Sequence, residues 1–96
     1  MKTKKCVKEL DGFNINISLL ITILEMNSAR NLVCIDFSKV SHAPGNIGIT
    51  SVIIDNILNY VVYEVDEYGI SQDILVTPDE NLACIEVLKC VGISLV

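Results

Sequence analysis

The stretch Asn31-Leu32-Val33-Cys34-Ile35-Asp36-Phe37 constrains this chain most. It is short and almost entirely apolar, without the alternation of a strand that has one wet face. It therefore reads as an inner strand, the centre of a sheet, covered on both faces by helices. The segments around it carry suitable patterns. Upstream, Ser18, Thr22, Glu25 and Ala29 recur at helical spacing opposite Ile17, Leu20, Ile21 and Leu24, which predicts a helix over about 18–28. A long second strand reaching Leu24 is the rival reading, because β-branched residues are frequent there.

Downstream, 38–48 holds Pro44, Gly45 and Gly48 and predicts a loop of about ten residues. The longest helix is expected over 49–68. Val52, Ile53, Ile57, Leu58, Val61 and Val65 would face inward, Asp55, Asn59, Asp66 and Glu67 outward, and Gly69 would close it. A strand over 70–76 follows. Thr77-Pro78-Asp79-Glu80 then has the composition of a helix start, with Thr77 as N-cap, Pro78 first in the helix and Glu80 completing a capping box. That helix runs to Val91, with Leu82, Ile85 and Leu88 toward the sheet; Gly92 ends it, and 93–96 forms a last strand. At the other end, Asp11-Gly12 separates 5–10 from 13–17 and predicts an N-terminal β-hairpin with a type I′ turn. The order β-β-α-β-α-β-α-β describes one α/β domain over residues 1–96, with a small, mostly parallel or mixed sheet and helices packed on it.

Composition narrows what such a domain does. At 96 residues the chain can bury one core without staples. That core is aliphatic, since 51% of residues are hydrophobic and only 5% aromatic. Twelve acidic residues against seven basic ones give a net charge of −5, which argues against phosphate backbones as partners. Four of the basic residues, Lys2, Lys4, Lys5 and Lys8, form a short N-terminal arm of the kind that keeps a terminus soluble. Cys6, Cys34, Cys84 and Cys90 match neither zinc-knuckle spacing nor a secreted disulfide framework, so they read as small buried hydrophobes in a reducing cytoplasm. No signal peptide pattern is present, and the apolar run from Ile17 to Leu24 is too short to cross a membrane.

Few residues carry chemistry. His42, the only histidine, lies in the loop after the central strand, where α/β proteins place ligands, although a lone histidine in a polar loop is more often a solvated side chain or a local hydrogen-bond partner. Asp36 at the end of that strand is a cation ligand or a strand-end cap. Gly45-Asn46-Ile47-Gly48 with Thr50 and Ser51 has the outline of a phosphate cradle at a helix start, yet lacks the P-loop lysine, and Thr50 or Ser51 as an ordinary cap explains it as well. Glu64, Asp66, Glu67 and Asp73 gather near the end of the expected long helix, as a solvated face or as an acidic patch that steers a basic partner.

Leu32-Val33-Cys34-Ile35-Asp36-Phe37-Ser38-Lys39-Val40 resembles the central strand of STAS and STAS-like domains, the anti-sigma-factor antagonist family, in which an apolar run closes in Asp-x-Ser-x-Val. Ile74-Leu75-Val76-Thr77-Pro78 and Leu88-Lys89-Cys90-Val91-Gly92-Ile93 are similar to that family's late strand, short helix and ending, so the resemblance spans about residues 32–96. It implies a non-catalytic module without cofactor that docks on an anti-sigma-type kinase or another regulator. The family's Asp-Ser-[Ser/Thr]-Gly phosphorylation switch is missing here, and Thr50 and Ser51 are the nearest candidates.

The resulting expectation is a cytoplasmic protein-binding regulatory module with no nucleic-acid or membrane partner, for which a homodimer is an open arrangement. Asp36, Ser38, Ser41, His42, Asn46, Thr50 and Ser51 are its partner-binding or regulatory residues. The alternatives are a small acidic inhibitor, of immunity or phage type, that neutralises a basic enzyme through the 64–73 patch, and a small-ligand binder at the loop 38–51.

Overall fold

The computed structural model describes residues 14–94. In chain order, helix α1 (Ile17–Met26) leads through a 3-10 turn (Arg30–Leu32) into β1 (Val33–Ile35). A long loop then reaches β2 (Ile47–Ile54), followed by β3 (Ile57–Val65), β4 (Ser71–Thr77) and helix α2 (Glu80–Cys90). The strands form one mixed sheet in the order β1-β2-β3-β4, with β1 parallel to β2 and the other two pairs antiparallel. The fold is thus a small α/β layer pair, with two helices among the described residues packed on one face of the sheet.

Both helices have locally encoded ends. Asn16 caps α1 by accepting the Leu19 amide at 2.8 Å. Its C-terminus is a Schellman turn: the Ser28 amide reaches Glu25 O (3.2 Å), the Ala29 amide reaches Leu24 O (2.8 Å), and Ser28 takes the left-handed position at φ 55°. The same turn ends α2, with Gly92 N to Lys89 O at 3.1 Å and Ile93 N to Leu88 O at 2.9 Å. The N-cap of α2 is Asp79, which accepts from Asn81 N and Leu82 N, and not Thr77. The Thr77 hydroxyl instead receives the Asp79 amide at 3.1 Å, one step upstream. Nor does Glu80 close a capping box. Its Oε2 accepts Ile17 N (2.9 Å) while Asn81 Oδ1 accepts Ile15 N (2.7 Å), so the first turn of α2 ties down the entry to α1.

The principal correction concerns 49–68, which forms the β2–β3 hairpin where a helix was expected. The turn Asp55-Asn56 has φ of 52° and 65°, the doubly positive pair of a type I′ turn, whose twist suits two-residue hairpins. Pairing runs from Ile54↔Ile57 to Ile47↔Glu64. β-branched residues at Ile47, Ile49, Thr50, Val52, Ile53 and Ile54 favour this extended state. The apolar spacing imitated a helix because Val61, Val62 and Tyr63 are all buried, so β3 loses its alternation.

That burial pattern also corrects the sheet's centre. β1 is a three-residue edge strand, and β2 and β3 are the inner strands, each with consecutive residues buried on both faces. On one face Ile49, Val62 and Val33 pack against Leu20 and Leu24 of α1 and Ala83, Cys84, Val87 and Leu88 of α2. On the opposite face lie Gly48, Thr50, Val61, Tyr63 and Val65, all buried. A bulge at Val62/Tyr63 leaves Ile74 of β4 without a partner. The first strand and turn of the expected N-terminal hairpin lie outside the described residues, and its second strand is replaced at Ile17 by α1. Ile93 and Ser94 are not in a strand, and the remainder of the expected last strand lies outside the described residues. The expected order β-β-α-β-α-β-α-β is therefore not the one observed over 14–94.

Candidate functional site

The loop from Asp36 to Asn46 keeps Phe37 beside Tyr60 on the helix side and from Ser41 onward straps the opposite face over Tyr63. Asp36 begins it: its amide continues the ladder to Ile49 O (3.3 Å), while Oδ1 accepts Ser38 N (2.9 Å) and Ser38 Oγ (2.7 Å). The Ser38 amide, then the Ser38 hydroxyl, hold this carboxyl below the ordinary aspartate value, against a small opposing desolvation. Ser41 N donates to the Tyr63 hydroxyl at 2.7 Å, and Ser41 Oγ accepts Ala43 N. His42 Nδ1 lies 3.2 Å from Gly69 O. At the far end Gly45 N reaches Val65 O and Val65 N reaches Asn46 O, both at 2.9 Å.

These contacts give most of the loop's polar groups structural duties. The Tyr63 ring beneath is 1% exposed, and burial raises its hydroxyl above the usual tyrosine value. Thr50 and Ser51 do not open a helix. They stand in mid-β2 with side chains on opposite faces: Thr50 is 7% exposed, and Ser51 Oγ donates to Phe37 O at 3.1 Å. With no helix there, Gly45-Asn46-Ile47-Gly48 has no dipole end to offer an anion. Asp36, Ser38, Ser41, His42 and Asn46 do share one loop, but Thr50 and Ser51 belong to the strand beneath it.

The acidic residues are likewise divided. Glu64 points to the helix side and Asp73, which pairs with Tyr63, to the other; Asp66 Oδ1 accepts the amides of Tyr68 and Ile70 in the β3–β4 turn. Of the cysteines, Cys84 is fully buried, Cys34 and Cys90 are half-buried, and all three are free thiols. Burial, with Glu80 nearby, pushes Cys84 up to about 12; burial and Glu86 also raise Cys90. Neither has the lowered value of a reactive thiolate. Among the described residues no group of three His, Cys, Asp or Glu is placed to hold a metal ion. None of their helices is long and apolar enough to cross a membrane.

The exposed feature that sequence reasoning missed is the hairpin's far half. β1 pairs with β2 only as far as Ile49, and β4 pairs with β3 only from Tyr60 onward, so 52–59 projects beyond both neighbours as a two-stranded arm. Its side chains are aliphatic on both faces. Val52, Ile53, Ile54, Ile57 and Leu58 are 42%, 67%, 45%, 56% and 48% exposed, and Asp55 at the turn is the only charge in 50–63. At the arm's base, on the helix side, Ile17, Phe37, Ser51, Leu58 and Tyr60 line a mainly apolar cleft of about 230 Å³. Phe37 and Tyr60 form its rim edge to face, with centroids 6.1 Å apart. The signal that could have found the arm is Asp55-Asn56 between two runs rich in β-branched residues. No protein-family model, curated protein or solved structure matches this chain.

Proposed function

We propose that this chain is a non-catalytic protein-binding module, and that it docks a partner protein through the β2–β3 arm. The observation that carries the reading is the run of five large aliphatic side chains on a hairpin end whose outer edges are unpaired and whose only charge is Asp55. Fully burying one such side chain contributes about 1.5–3 kcal/mol, so half-exposed residues retain roughly 1 kcal/mol each, about 5 kcal/mol for the five. A flat β-branched edge without Lys, Pro or a bulge lacks the devices that normally keep strand ends apart in solution, which favours a covered arm. The reading moves the docking surface from the loop 38–51 to 52–58. A regulator of anti-sigma type enters it only as the partner class that the STAS resemblance implies, through Asp36-Phe37-Ser38-Lys39-Val40.

Affinity capture from the native host tests it, with the wild type beside an Ile54→Lys/Ile57→Glu variant and a His42→Ala variant. Loss of specific partners by the arm variant but not by His42→Ala is expected. Equal capture by all three would remove the arm as the docking surface. The acidic-inhibitor reading is weaker, because Glu64 and Asp73 lie on opposite faces and cannot meet one basic surface together.

A further inference from the structure

We infer that the arm's partner is a second copy of this chain, and that Ile53 of each copy enters the cleft lined by Ile17, Phe37, Leu58 and Tyr60 of the other. The inference rests on the reading of the arm as a docking surface and names its occupant. A two-fold interface must carry a projection and its receptor on one surface of the same chain, so that each copy satisfies the other. Both are present here. Ile53, the most exposed arm residue at 67%, shares the helix-side face of the hairpin with Ser51, Leu58 and Tyr60, which line the cleft. The cleft is apolar and of a size to take an aliphatic side chain, and it lies immediately along the strand from the projection.

Charge and area agree with this occupant. Two chains of net charge −5 repel one another wherever their acidic residues meet, and the hairpin segment 50–63 is the part whose only charge is Asp55. On the helix-side face the exposed fractions of Ile53, Leu58 and Phe37 amount to on the order of 300 Å² per copy, and Val52, Ile54 and Ile57 on the other face add on the order of 250 Å² where the two hairpins embrace, toward the ~800 Å² that each partner gives a standard interface. Arm backbone and cleft walls supply the rest when the two hairpins lie across each other. Apolar residues on both faces also fit mutual embrace better than a flat foreign surface, which reaches one face only.

Sedimentation equilibrium of the full chain from 5 to 200 µM is the test. The wild type should run at twice the 10.6 kDa of one chain. Ile53→Glu, which removes the projection, and Leu58→Glu, which spoils the cleft, should each raise the dissociation constant at least tenfold, with far-UV circular dichroism unchanged. An equimolar mixture of the two variants restores one intact projection-in-cleft contact and should associate more tightly than either alone. A wild type of 10.6 kDa at 200 µM would overturn the inference, as would a dimer that neither substitution weakens. A monomeric wild type whose host partners are still lost by the Ile54→Lys/Ile57→Glu variant refutes the second copy alone and leaves arm docking standing; equal capture refutes both.

Discussion

Replacing Gly48 with alanine tests how the strap and the sheet are fitted together. Gly48 sits in β2 opposite Tyr63, its backbone is that of an ordinary strand, and an alanine meets no conformational strain there. The obstacle is steric, because a Cβ at Gly48 would fall within the phenol ring of Tyr63. That ring is 1% exposed and its hydroxyl accepts Ser41 N at 2.7 Å, so it has to swing away and abandon the strap. Overpacking of this kind costs about 1–3 kcal/mol. The lost hydrogen bond adds about 0.5–1.5 kcal/mol. The lower entropy of an unfolded chain with alanine offsets about 0.4–1 kcal/mol. The net destabilisation is about 2 kcal/mol, which for a domain of this size lowers the thermal midpoint by about 10 °C. Urea or thermal unfolding of Gly48→Ala, Tyr63→Leu and the double variant measures it. In the Tyr63→Leu background the smaller side chain makes room, so Gly48→Ala should cost at least about 1 kcal/mol less there. A cost equal in both backgrounds, or no cost in the wild type, refutes the reasoning.

The remaining predictions follow from buried groups of α2. Cys84 has a folded value near 12 against an ordinary 9.0, so its neutral thiol stabilises the fold fully below about pH 9, and that contribution drains away as pH rises from 9 toward 12 while the unfolded thiol ionises. The slope is up to about 1.4 kcal/mol per pH unit; Cys84→Ala should flatten the alkaline limb of a stability profile, and an identical limb in both proteins would exclude Cys84 as its source. Asn81→Ala leaves the Ile15 amide without its acceptor and should destabilise by about 1–2 kcal/mol. Hydrogen exchange at Ile15 should quicken together with the first turn of α1, and unchanged exchange would show that the bond does not anchor that helix.

Much of the fold was legible wherever one short stretch of chain decides the outcome. The first helix was readable from the polar stripe of Ser18, Thr22 and Glu25, because solvent on one side imposes that period directly. The end of the last helix was readable at Gly92, and its start to within two residues, at Thr77 in place of Asp79, because caps act through bonds two to five residues away. The strand at Ser71–Thr77 and the loop after Asp36 were readable from composition, whereas the partners of the candidate residues were not. Asp36 to Asn46 looked chemical because loops so often are, yet Tyr63, Val65 and Gly69 occupy its polar groups, and all three are contacts across 19 or more residues that no local pattern records.

By itself, then, the sequence determined an acidic, aliphatic α/β fold and the approximate places of two helices. Tertiary structure decided what 47–65 becomes. Its apolar residues fit a helical stripe and a hairpin almost equally, and the hairpin prevails through long-range partners: β1 takes the Ile47 edge, β4 takes the Tyr60 edge, and α2 covers Val62 from above. The same competition leaves 52–58 bare, because β1 is three residues long and β4 starts its pairing at Tyr60, so both stop short of the turn. That the hairpin's end stays bare is thus a consequence of neighbouring strand lengths; Asp55-Asn56 could have announced the hairpin, but not that its end is left uncovered.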